Sequence, residues 1–279
     1  MNNIKINRAW AIVYPVGIYY VITNVATFLI CLFVPLTNES YGFIKVLSTL
    51  LTLPFIYRIY RADEMRRGYL ESEWKTVIKS FRKEIPVIVG IVLMAACLSV
   101  VLNNILAWTP LIETSKSYQQ VAKAFFGGGI IFEILGPCIL VPILEEYVFR
   151  GLVYRRLREW LSLPWAVGIS AVIFGVMHMN LVQFIYAGVL GIFLALCAER
   201  TEYLYGAIAG HMADPRKEYK GCCIAGHMAA NTISVIRTET EWLKWMEHPF
   251  GVKLCMTIGL GLVFVGLAVI IFRKKRDTI

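Results

Sequence analysis

A few ionisable and amide side chains stand at helical spacing inside an otherwise apolar chain. Glu145 and Glu146 are adjacent, and Arg150 follows Glu146 by one helical turn, so that pair shares a face. Glu145 then points about 100° away, free to address a neighbouring helix. His178 ends the stretch AVIFGVMHMN one turn after Phe174, and His227 and Asn231 share a face in GHMAAN. Together these groups suit the activation of water. Glu145 would take the proton of a water that His178 also holds, and His227 with Asn231 would hydrogen-bond a carbonyl oxygen as negative charge develops on it. On the same side chains, Glu145, His178 and His227 offer ligands for Zn²⁺, which would lower the pKa of bound water.

The plainer readings differ in strength. An interfacial salt bridge with a snorkelling arginine accounts for Glu146 and Arg150 but leaves Glu145 unexplained. A lone intramembrane histidine is more often a packing residue, so the case for His178 rests on depth. Glu145 lies 17 residues before Ser162, and His178 lies 14 after Pro164, with the turn between two helices falling at 162–164. At about 1.5 Å per residue their heights differ by only about 3–5 Å, which sets carboxylate and imidazole side by side in an antiparallel pair.

The elements that must hold these groups are membrane helices. Of 279 residues, 58% are hydrophobic and 17% charged, too apolar for a soluble domain and incompatible with disorder. Candidate spans are 9–36, 43–60, 86–108, 127–149, 164–180, 181–199, 222–236 and 252–272, giving about eight transmembrane helices in an all-α fold, the fifth to seventh short. The net charge of +9 comes from cations flanking these spans, so it speaks for orientation in a lipid bilayer and against nucleic acid. Arginines and lysines cluster at 58–83, 150–158 and 273–276, which puts both termini in the cytoplasm of a multi-pass cell-membrane protein. Residues 61–85 read as a solvated connector, helical in part and lying on anionic headgroups. Trp10, Trp108, Trp160, Trp165, Trp242 and Trp245 fall near span ends, and seven cysteines without a C-x-x-C pair read as buried thiols.

Several hydrolase types are excluded. No H-E-x-x-H or G-x-S-x-G occurs, and Asp63, Asp214 and Asp277 all lie outside the candidate spans, which removes a paired-aspartate protease. One ambiguity is internal: IAGHMA occurs at 208–213 and again at 224–229, a period of 16, so His211 competes with His227. His227 is favoured because only its copy retains the asparagine four residues on.

The ordered motifs Glu145-Glu146-x-x-x-Arg150, Phe174-x-x-x-His178 and His227-x-x-x-Asn231 resemble those of the CPBP intramembrane protease family, which includes type II CAAX prenyl endopeptidases, Abi proteins and lysostaphin-resistance-like proteins. The resemblance covers roughly 125–235, a protease core between membrane helices plus basic linker at 1–124 and a last helix plus basic tail at 236–279. It implies Glu145 as the water-activating residue beside His178, Glu146 and Arg150 as support, and His227 with Asn231 as oxyanion donors. The substrate it implies is a membrane-associated peptide or protein of CAAX-like or bacteriocin type. One departure stands out: removing a single 16-residue period would restore ERTEYLYGAIAGHMAAN, a more typical third motif. A non-catalytic immunity or scaffold protein of the same fold, and more remotely a proton-coupled transporter, are the competing functions. The sequence specifies no oligomeric state.

Overall fold

The computed structural model describes residues 7–66, 74–206, 220–239 and 249–272, which form helices and turns with no strand among them. In chain order the helices are α1 (Arg8–Cys31), α2 (Asn38–Arg66), α3 (Trp74–Ala107), α4 (Leu111–Thr114), α5 (Lys116–Phe125), α6 (Ile130–Arg158), α7 (Leu163–Val176), α8 (Leu181–Gly206), α9 (Lys220–Glu239) and α10 (Phe250–Phe272). Polar caps mark the starts. Asn7 accepts from the Ala9 N–H at 3.0 Å, and Thr37 and Ser40 exchange side chain-to-backbone bonds ahead of α2.

Among the described residues five helices are long and apolar enough to cross a bilayer, or six if the bent pair α5–α6, which turns by 113°, counts as one span. The expected eight are not reached by length and composition, for a physical reason in each shortfall. Helix α7 has 14 residues and rises about 21 Å, well short of a hydrocarbon core of about 30 Å. Helix α9 is 20 residues long but carries His227, Asn231, Thr232 and Ser234, so it is an interior helix whose polar groups need protein partners. Apolar surface is plain elsewhere: Ile258, Leu262, Val265, Val269 and Ile270 of α10 are more than half exposed, a face suited to hydrocarbon. Trp10, Trp108 and Trp165 are exposed near helix ends, Trp242 and Trp245 lie outside the described residues, and all seven cysteines are free.

Interior packing relies on small residues. Residues Ile91, Met94 and Ala95 of α3 meet Leu190 and Leu194 of α8 and Cys222, Cys223 and Ala230 of α9. A Cβ on Gly226 would stand 3.0 Å from Ile91 Cγ2 and 3.3 Å from Leu194 Cδ2, so the small residues around His227 let α9 lie close to both neighbours. The same holds between α7 and α8. Gly175 faces the Phe184 carbonyl, and Gly191 faces Phe174 and Ala171.

The basic end of the bundle departs from the connector expected at 61–85. Helix α2 continues to Arg66, and Asp63 and Glu64 are buried. Arg156, also buried, bonds Asp63 at 3.0 Å and the Tyr14 hydroxyl at 2.6 Å, while Arg155 pairs with Glu64. Arg158 pairs with Glu199 at 2.7 Å, and the Tyr154 hydroxyl donates to the same carboxylate. These arginines are therefore internal ties among α1, α2, α6 and α8 as well as basic markers. The first residues of the supposed connector belong to the folded bundle because buried carboxylates and guanidinium groups compensate each other there.

The α7–α8 contact yields a test. A methyl group at Gly175 would sit 2.9 Å from a backbone oxygen that cannot swing aside, whereas one at Gly168 on the same helix would meet nothing within 4 Å. Gly175→Ala is expected to destabilise the protein by about 1–3 kcal/mol and Gly168→Ala to leave it unchanged or slightly stabler, read as thermal unfolding in detergent micelles.

Candidate active site

Helix α6 delivers the carboxylates, and it is not regular. Two π-helical stretches, Ile134–Leu140 and Tyr147–Tyr154, flank the α-helical turn Val141–Glu146. Proline explains the first. In π register the Pro137 carbonyl would accept from residue 142, but Pro142 has no N–H, and the Val141 N–H is taken by the Gly136 carbonyl. The freed oxygen accepts from Asn231 Nδ2 of α9 at 2.8 Å. The helix irregularity is thereby docked onto the helix that carries His227.

His227 is buried between both glutamates. Its Nδ1–H donates to Glu146 Oε1 at 2.9 Å, and its Nε2 lies 3.7 Å from Glu145 Oε2. The second distance is too long for a direct hydrogen bond, yet one water could touch both groups. Glu146 Oε1 also accepts from Arg150 at 2.8 Å, and Arg150 donates a further bond to the Gly191 carbonyl at 3.2 Å. The guanidinium lies 4.5 Å from the centre of the Phe174 ring. Glu146, Arg150 and His227 are each nearly inaccessible, whereas Glu145 retains 9% of its surface and is the more open of the two carboxylates.

His178 sits at the end of α7, half-buried, with its ring edge-on to Phe174 at 5.1 Å; His227 meets the same ring at 5.7 Å. The Nδ1–H of His178 donates to the Phe174 carbonyl at 3.0 Å, which leaves Nε2 as the free nitrogen of the neutral ring. Glu145 makes no hydrogen bond or ion pair with His178; the imidazole against it is that of His227. The structure thus brings Glu145, Glu146, Arg150 and His227 into direct contact, with Asn231 one turn along α9 and His178 joined through Phe174. His211 lies outside the described residues.

Residues that sequence reasoning passed over complete the site. Tyr19 of α1 faces the Glu145 carboxylate and packs edge-on against Phe149, its ring centre 6.3 Å away. Asn180 ties down the turn after His178. Its Nδ2 donates to the His178 carbonyl at 3.0 Å, and its Oδ1 accepts from the Gln183 N–H at 2.9 Å as the cap of α8. The intervening Met179 has φ +59°, a left-handed conformation uncommon for a residue with a Cβ. The N-x-x-Q spacing of Asn180 and Gln183 was the available signal, a relative of the capping box. No pattern identified Tyr19. Glu133, also buried and without a hydrogen-bond partner, precedes Glu145 by 12 residues and about 18 Å of helix and does not join the site.

The zinc set fares differently. Among the described residues no group of three or more His, Cys, Asp or Glu side chains is placed to hold a metal ion. Glu145 and His227 approach, and each histidine keeps Nε2 open while Nδ1 is engaged, as a ligating imidazole would, but His178 does not converge with the other two. The donors as arranged do not form a metal cage.

Comparison with known proteins agrees with the chemistry of this core. Residues 127–214 match the family described as Type II CAAX prenyl endopeptidase Rce1-like. A stretch of 79 residues is 33% identical to the protein named "Putative membrane peptidase YdiL" of Bacillus subtilis (strain 168), covering 28% of this chain and 32% of that relative. The chain therefore spans about a third of the length of the curated relative it matches. No solved structure matches. The family match contains Glu145, Glu146, Arg150, His178 and His211 and ends before His227 and Asn231. Together, the two matches support the CPBP family for this chain.

The Glu146–Arg150 pair offers a stability test. Arg150→Met strands a buried carboxylate and is expected to cost about 3–5 kcal/mol, with Glu146→Leu plus Arg150→Met recovering part of that loss, measured by chemical unfolding in micelles.

Proposed function

We propose that this CPBP-type membrane chain is an intramembrane endopeptidase that hydrolyses a peptide bond of a membrane-associated substrate, CAAX-like or bacteriocin-type, with water activated by Glu145. The observation that carries the reading is a single imidazole held between two buried carboxylates, one neutralised by Arg150 and the other open to a reactant. Glu145, which no arginine or lysine pairs with, is the group available as general base. It takes a proton from water as the water oxygen attacks the substrate carbonyl carbon, and returns that proton to the leaving amine.

His227 is oriented for the complementary role. Its Nδ1–H is committed to Glu146, so Nε2 alone faces the reaction space. In the doubly protonated form the ring donates from Nε2 to the carbonyl oxygen as charge builds there, and Glu145, Glu146, Arg150 and His227 then sum to zero net charge. Asn231 has a second amide N–H beyond the one spent on Pro137, and His178 Nε2 can accept from the water. Both termini lie on the cytoplasmic side in this reading, by the distribution of basic residues. No step is assigned to a metal, because the donors do not converge.

A second reading, a non-catalytic immunity or scaffold protein, draws support from the absence of direct Glu145–His178 contact. The two separate experimentally. Purified wild-type protein reconstituted with a lipid-anchored peptide library is expected to release fragments. Glu145→Gln and His227→Ala should lower turnover at least about 100-fold while the protein still elutes as a folded species; His178→Ala should also lower it, and His211→Ala should not. Turnover that survives Glu145→Gln rules out the protease mechanism. Exhaustive treatment with a chelator, with metal content measured alongside, is expected to leave turnover within about two-fold, as catalysis through Glu145 and His227 alone requires.

A further inference from the structure

A cavity of about 280 Å³ lies between α1 and α2 at the end of the bundle opposite the arginine cluster. Its lining includes Tyr19, Thr23, Asn24, Tyr41, Lys45 and Met177. Two of these connect it to the candidate active site: Tyr19 faces the Glu145 carboxylate, and Met177 immediately precedes His178. Hydroxyl, amide and ammonium groups of Tyr19, Thr23, Asn24, Tyr41 and Lys45 stand among apolar wall from Leu36, Ile44 and Met177, the mixture of a few placed polar groups on an apolar lining that a peptide site needs.

Lys45 is the unusual member. It lies within the membrane-spanning helix α2, seven residues and about 10 Å beyond the first helical residue, and is half-buried. Among the described residues its ammonium has neither an ion-pair partner nor a hydrogen-bond acceptor; the recorded bonds at Lys45 are to its backbone carbonyl, from Ser48 and Thr49. Glu39, in the first turn of α2, is exposed and makes no ion pair with it. A cation at membrane depth is costly, and it is normally paired or engaged in function. Here the missing counter-charge coincides with a cavity whose wall includes Tyr19, the side chain that faces the candidate general base.

We infer that this cavity binds a polar segment of the peptide substrate and that Lys45 pairs with a carboxylate on it, either the free C-terminus or an acidic side chain. This rests on the protease reading above and adds the class of substrate. Tyr41, Thr23 and Asn24 supply hydrogen bonds to the peptide backbone, and Tyr19 marks the boundary where the segment passes to Glu145. The substrate is then selected by an anionic group held away from the scissile bond, an interaction that a charge-assisted hydrogen bond makes strong in such surroundings.

The test uses full-length protein in nanodiscs and short acyl-anchored fluorescent peptides in matched forms: free C-terminal acid without acidic side chains, its C-terminal amide, and the amide with one added Glu. Binding is read by anisotropy in the Glu145→Gln background, so no peptide is consumed. The free acid or the Glu-bearing amide should bind about ten-fold more tightly than the neutral amide, and which of them does so identifies the source of the carboxylate. Lys45→Gln should abolish the preference and Lys45→Arg should keep it. Equal binding of all three peptides to the Lys45 protein, or a preference that survives Lys45→Gln, overturns the inference. The same peptides are assayed for cleavage with Glu145 intact. Selective binding without cleavage counts against the protease reading and leaves the Lys45 site standing; cleavage without selectivity does the reverse.

Discussion

A buried carboxylate with no compensating charge would be expelled from a helix bundle or held neutral, and the contact of Glu146 with Arg150 is what permits the rest of the site. Arg150 in turn needs Phe174 beneath its plane and the Gly191 carbonyl at its tip, which brings in α7 and α8. Glu146 offers the same oxygen to His227 and so orients α9. One ion pair therefore ties α6 to α7, α8 and α9 around the candidate site. Glu145 inherits its situation from that arrangement: placed one residue before Glu146, it points away from the sealed pair and keeps a small accessibility that Glu146 lacks.

The same logic of mutual compensation recurs at the arginine-rich end, with a different outcome. Asp63, Glu64 and Glu199 are matched by Arg156, Arg155 and Arg158, and the result is mechanical closure of α1, α2, α6 and α8. Burial by itself does not set these pairs apart from Glu146 and Arg150, since Asp63, Glu64, Glu199 and Arg156 are buried as well.

Much of the site was legible because helical periodicity converts directly into shared faces. The four-residue spacing of Glu146 with Arg150 became a 2.8 Å contact, and that of His227 with Asn231 placed both on the side of α9 that meets α6. The depth argument for Glu145 and His178 was weaker, because it used regular α-helical rise through a segment that the structure shows to contain two π stretches. Local patterns also gave no access to partners distant in sequence. Tyr19 precedes Glu145 by well over a hundred residues, and Asp63 looked solvated until Arg156 lay against it. The span count suffered from a related blindness. Apolar length marked the segments of α7 and α9 as short, but it does not reveal that α7 stops at Val176 or that α9 packs inside the bundle.

That truncated helix has a consequence for hydration. The chain reverses at 177–180, before crossing the full hydrocarbon thickness, and the reversal is pinned by Asn180. Beyond it, about 9 Å of depth that an ordinary transmembrane segment would fill with aliphatic bulk is left to its neighbours, and there α1 and α2 present Tyr19, Thr23, Asn24 and Tyr41. Hydroxyl and amide groups at that depth are ones that could hold water inside a lipid phase. By ending early, α7 adds no further aliphatic turn beside them, so the polarity of the bundle interior on the side where α1 and α2 are joined depends on the length of one helix.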